Sequence, residues 1–271
     1  MEALKKMPAQ DVTNLPTELV AEGATIIKLE NQTQMAIAVQ RPRDESRILS
    51  DSLKELDLYP SMAREAIYVK PVGKDDSGVV KTAEGLSIRA AESLGNRWSN
   101  SSYGTEIVSE TDESATIASV FLDYQANTRH VTMATVSKFY KTRQGQIVRY
   151  APDRFDTVLK ANGSKLLREV ILRSLPAGLK KEYETKARII LKKEPIAAQR
   201  TAVIERFVDL GVTEGQLETW KGKPIKEWKR EDILDALGLV NAIRDGEASI
   251  ESVFPKGNGK EPTIPGLKPT V

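Results

Sequence analysis

The stretch that most limits what this chain can fold into is 162–176, N-G-S-K-L-L-R-E-V-I-L-R-S-L-P, which follows a run of candidate β-hairpins. Wound at about 100° per residue, it sets Leu166, Leu167, Val170 and Ile171 on one side and gathers Lys165, Arg168 and Arg173 within about 140° on the other. Such a helix must bury its apolar side, and the strands before it are the nearest surface. The expected fold class is therefore α+β: a small antiparallel sheet of three to four strands packed against a long basic helix. A cationic cylinder backed by a sheet suits a phosphate backbone and says little about catalysis.

At 271 residues the chain is long enough for one large domain, or for a domain of about 150–190 residues with a smaller module. Its formal charge is only +2, so attraction to a polyanion must come from clustering. Residues 154–193 supply it, with eleven basic side chains, Lys160 among them, against Asp156, Glu169, Glu182 and Glu184; eleven minus four is +7. There is no cysteine, which excludes disulfides and thiolate chemistry and fits a reducing compartment. No uncharged apolar run reaches the ~18 residues of a membrane span, and residues 1–11 lack the apolar core of a secretory signal. The expectation is a cytoplasmic protein with no membrane partner.

Along the chain, strands are expected at 24–29, 35–40 and 66–72. A helix over 44–58 is capped by Asp44, and a turn falls at 73–78. Leu86, Ile88, Ala91, Leu94 and Trp98 predict a helix over 84–98. Strands follow at 105–109, 116–124 and 130–140, joined by short polar turns, with 147–150 as a fourth. Ala118, Val120, Leu122 and Tyr124 share one side of the second. The basic helix occupies 153–175 and another follows at 179–192. Pro195 marks a boundary, after which short helices are expected at 197–210, 213–220 and 230–244, the second with a capping box of Thr213 and Gln216. The domain reading is thus 1–193 (core 83–193), a helical module over 194–254, and a disordered tail over 255–271.

The patterns for common catalytic chemistry are missing. His130 is the only histidine, so no His-rich zinc site is available. No phosphate-binding G-x-x-x-x-G-K-[ST] loop is present. Glu184-Thr185-Lys186 imitates the acid-x-lysine end of a metal-dependent nuclease but lies in an expected helix. Neither an enzyme nor a cofactor is expected. A second cationic element is present: the hairpin with Lys138, Lys141, Arg143 and Arg149, interleaved with Phe139 and Tyr140. Cations beside aromatics on a β-ribbon suit single strands, whose phosphates need charge and whose bases need ring faces.

Glu84-Gly85-Leu-Ser-Ile-Arg-Ala-Ala-Glu through Trp98, then three strands, then S-K-L-L-R-E-V-I-L-R-S-L-P, resembles the core of the phage single-strand annealing proteins of the RecT, Red-beta and Erf group. The resemblance covers about 83–193. It implies a β-β-β-α core that pairs single-stranded DNA without ATP, as a homo-oligomeric ring or filament in phage-type recombination. It places Lys165, Arg168 and Arg173 on the DNA-facing helix and Lys138, Lys141 and Arg143 on the hairpin, with Lys160 beside them. The departure is Pro176-Ala177-Gly178, where relatives often place an aromatic or aliphatic residue before glycine. Residues 194–254 look like modules that dock an exonuclease or the host single-strand-binding protein. The competing readings are a coat protein that binds strands without annealing, a phage structural protein that does not bind DNA, and a metal-dependent nuclease.

Overall fold

The computed structural model describes residues 17–74, 80–142, 144–246 and 248–254. The 255–271 tail and most of the 73–78 turn lie outside them. Thr17–Gln40 is one helix, α1, where strands were expected at 24–29 and 35–40. Ala, Gln and Met favour a helix there, and no Gly or Pro falls between 24 and 40 to turn the chain, so the β-branched residues are carried along. Helix α2 (Glu45–Leu58) starts as expected, the Asp44 carboxylate accepting from the Arg47 amide, and it buries Ile48, Ser52 and Leu56. A short α3 (Pro60–Glu65) leads into β1 (Ile67–Lys74), which pairs antiparallel with β2 (Val80–Leu86).

The pairing of β2 corrects the helix expected from residue 84. Glu84, Gly85 and Leu86 lie opposite Val69, Tyr68 and Ile67, and the helix α4 (Ile88–Arg97) begins only after Ser87, whose hydroxyl accepts from the Ala90 amide. The register uses the glycine: a Cβ on Gly85 would stand 3.2 Å from the Tyr68 ring.

Strands β3 (Ser101–Glu110), β4 (Ser114–Asp123) and β5 (Thr128–Ser137) form an antiparallel sheet in that order, leaving β3 and β5 as edges. The candidate fourth strand does not join it. Phe139–Lys141 (β6) and Ile147–Arg149 (β7) instead make a separate two-stranded ribbon. Of the two faces of β4, the one turned to the helices carries Ala115, Ile117, Ser119, Phe121 and Asp123, all buried. The smoother apolar set from Ala118 to Tyr124 faces the other way. Two polar residues are tolerated inside because each is paired: Ser119 meets the Thr105 hydroxyl at 2.6 Å, and Asp123 meets Arg43.

Helix α5 (Pro152–Ser174) lies across this face. It buries Phe155 from its first turn and Leu166 from just past its middle against Ala115, Ile117 and Val136. Its second half carries Val170 and Ile171 into a larger core with Ala91, Leu94 and Phe121. Helices α6 (Ala177–Lys193), α7 (Ile196–Val208), α8 (Glu214–Lys221) and α9 (Arg230–Arg244), then a last turn α10 (Ile250–Val253), complete the chain. The Thr213–Gln216 capping box is present at the start of α8.

The helices of 194–254 share the same large core, through Leu217, Ile225, Trp228, Ile233 and Leu237. Helix α9 approaches β1 so closely that a Cβ on Gly238 would fall 2.3 Å from Val69 Cγ2. The Asn241 amide donates at 2.7 Å to the carbonyls of both Arg64 and Ile67. Around Glu65 converge Arg206 at 3.2 Å, Arg89 at 3.5 Å and Arg244 at 3.6 Å, so one carboxylate ties α3, α4, α7 and α9 together.

Candidate nucleic-acid interface

Helix α5 separates the three cations that the sequence put on one outer face. Arg173, in the last turn, is exposed, and Lys165 is half-buried. Arg168 turns inward: its guanidinium sits 4.4 Å from the centre of the Tyr68 ring. It also lies within electrostatic reach of the buried Asp245, whose carboxyl is pushed up by burial in spite of Arg89, Arg168 and Arg244. The expected continuous cationic face is therefore corrected. The outer side of α5 is mixed, with Asp153, Asp156 and Glu169 exposed beside Arg154, Lys160 and Arg173.

Much of the remaining +7 is spent inside the fold. Lys180 donates at 2.5 Å to the Leu172 carbonyl near the C-terminal end of α5, where a cation complements the helix dipole. Burial lowers its pKa. Lys186 pairs with Asp57 at 2.7 Å, and Arg188 with Glu184 at 2.8 Å and Glu84 at 3.2 Å. These cations join α6 to α2 and β2.

Lys160 is exposed but lines a groove of about 410 Å³ between α5, β3 and the start of α4. Ile88, Ile107, Ile117, Leu159 and Leu167 form its apolar lining, and its other charged residues are Glu92, Glu106 and Asp156. Three carboxylates against one ammonium repel a phosphate, so the groove beside the helix does not suit a nucleic-acid backbone.

The ribbon is different. Lys138 is mostly covered, its side chain 14% exposed, paired with Glu110 at 2.6 Å and held 5.6 Å from the Phe155 ring centre. Lys141 is exposed. Arg143 lies outside the described residues. Register puts Tyr140 and Val148 on the side facing α5, and Phe139, Lys141, Ile147 and Arg149 on the side facing away. On the helix side the Tyr140 and Tyr150 rings meet with their centres 4.6 Å apart and their planes tilted by 30°. The exposed Arg154, from the first turn of α5, lies over both, at 5.2 Å and 5.7 Å from their centres. On the other side Arg149 lies 5.8 Å from the Phe139 ring.

Sequence reasoning named the ribbon but missed Arg154 and Tyr150. The signal available was Pro152, which starts a helix two residues after one tyrosine and two before the arginine, bringing them to one corner. The chain matches no protein-family model, no curated protein and no solved structure. Among the described residues no three His, Asp or Glu side chains gather as a metal site would need, and no helix is long and apolar enough to cross a membrane.

Proposed function

We propose that the protein binds single-stranded DNA and anneals complementary strands without nucleotide hydrolysis, as an assembly of identical subunits. The observation that carries this reading is the corner where Arg154 spans two adjoining tyrosine rings, Tyr140 and Tyr150, at the end of a ribbon whose own residues, 138–152, include no carboxylate. Ring faces accept bases of any sequence, and an exposed guanidinium accepts both a phosphate and a base edge. An antiparallel three-stranded sheet covered by a helix supports the reading drawn from the resemblance to annealing proteins. The bases are read by each other, so the protein has only to hold strands extended and near one another. A bound strand then lies at the first turn of α5 and not along its middle.

Fluorescence anisotropy with a labelled single-stranded oligonucleotide tests it. Tyr140→Ala removes a stacking platform worth about 1–3 kcal/mol, so affinity should fall about 5- to 150-fold. Arg154→Ala should flatten the dependence of log affinity on log salt by about 0.7, the share of one phosphate on a single strand. The wild type should also speed duplex formation from two complementary oligonucleotides with no nucleotide added. Binding that ignores both substitutions rejects the site; no binding at low salt rejects the function; binding without faster pairing leaves a coat protein.

A further inference from the structure

The apolar groove beside α5 has no role in that reading, and it is bordered by an open sheet edge. Ile107 is about half exposed on β3, which pairs on one side only, with β4. Among the described residues its outer edge pairs with no other strand, and its register with β4 shifts between Ile107 and Ser109. At its rim Glu92, Glu106 and Asp156 form no ion pair among the described residues, and Lys160 is the one cation beside them there. A groove of this make fits an extended segment that is aliphatic and cationic, with unpaired backbone of its own.

The chain carries one such segment. On the ribbon face turned away from α5, Ile147 is 76% exposed, flanked by Lys141 and Arg149, and residues 138–152 contain no carboxylate. We propose that this ribbon face of one copy seats in the β3–α5 groove of the next, Ile147 among Ile107, Leu159 and Leu167, and Lys141 and Arg149 against Glu106 and Asp156. Knob and hole are different surfaces of the same molecule, so the contact is head-to-tail and propagates into a ring or a filament. The inference deepens the assembly part of the proposed function and leaves the Tyr140–Tyr150–Arg154 side of the ribbon open to a strand.

Charge reversal tests it on the full chain, by sedimentation velocity in the absence of DNA. The wild type is expected to form species larger than a monomer. A groove variant, Glu106→Lys with Asp156→Lys, and a ribbon variant, Lys141→Glu with Arg149→Glu, should each be monomeric alone, because like charges then meet. Mixed one to one they should assemble again, since each groove then faces a ribbon of opposite sign. Far-UV circular dichroism and thermal midpoints confirm that these surface variants remain folded. A wild type that stays monomeric, a single variant that assembles like the wild type, or a mixture that fails to assemble overturns the proposal. So does a monomeric wild type that instead binds a synthetic lysine-isoleucine peptide, which would give the groove to a foreign partner. Failure here leaves oligonucleotide binding through Arg154 untouched, and that binding is read in a separate assay.

Discussion

Replacing Asp123 by Asn changes one atom type and should cost more stability than any other conservative substitution near the sheet. The carboxylate accepts from the two terminal guanidinium nitrogens of Arg43 at 2.7 Å and 2.8 Å, from the Trp98 indole at 3.1 Å, and from the amides of Gln125 and Ala126 at 3.1 Å and 2.9 Å. The Arg43 and Asp123 side chains are only 5% and 9% exposed. The pair also holds a strained corner: Ser99 and Asn100 have φ of 47° and 48°, a region L side chains avoid, and Arg43 donates at 3.0 Å to the Ser99 carbonyl. An asparagine leaves Arg43 buried without its counter-charge, a change that typically costs 3–5 kcal/mol. Taking about 4 kcal/mol and a urea slope of about 3 kcal/mol per molar, the midpoint should fall by about 1.3 M. Unfolding followed by tryptophan fluorescence measures this, and Arg43 lies 4.2 Å from the Trp98 ring centre, so the probe is in the cluster.

Two controls sharpen the result. Adding Arg43→Met to Asp123→Asn removes the orphaned charge and should recover most of the loss, which Arg43→Met alone should not avoid. The pH dependence has a definite sign. The arginine, backbone and indole hydrogen bonds hold the Asp123 pKa below its ordinary 3.8, in spite of burial. Its stabilisation is therefore complete above 3.8 and is lost as pH falls through the lower folded value, so wild type and Asp123→Asn should converge on acidification. A loss under about 1 kcal/mol at neutral pH, or one that Arg43→Met does not restore, would refute the reasoning from an orphaned buried charge.

Two further outcomes are expected. Gly238→Ala should destabilise by about 3 kcal/mol through overpacking, because its Cβ would meet Val69 backbone as well as side chain, at 2.7 Å from the amide nitrogen; chemical denaturation checks it, and an unchanged midpoint would mean that α9 is not seated on β1. Arg168→Ala should lower stability by about 1–2 kcal/mol while leaving the salt dependence of DNA binding as in the wild type, since its charge is used on Tyr68; a flatter salt dependence would return this residue to the DNA.

The local devices of this fold are legible in the sequence and the distant ones are not. Asp44 and Thr213 announce helices because a cap acts within three residues, and the hairpins announce themselves through alternation and polar turns. The start of the 84–98 helix is misplaced because the residues that make Glu84 to Leu86 a strand are Ile67 to Val69, on the far side of a turn, while Ile88–Arg97 is helical as expected. The same distance defeats the reading of Arg168. Its angular position on α5 is as expected, but what a guanidinium does there is decided by a tyrosine 100 residues earlier. Net charge along a helix is then a poor guide to its field.

Where the charge went also bears on the proposal that the ribbon holds a polyanion. Each of Lys180, Lys186 and Arg188 has a partner supplied by a helix or strand that α6 or α5 must hold in place. A cation that ties two elements together cannot leave for a phosphate without loosening the core, so a strand would have to match its present partner first. Arg154 bears no such constraint. It rests on ring faces, an attraction of about 1 kcal/mol at an exposed site. That hold is compatible with a phosphate on one side of the guanidinium while the tyrosines remain on the other. A binding surface needs cations that are oriented yet not consumed, and at this corner the two tyrosine rings orient Arg154, which forms no ion pair among the described residues.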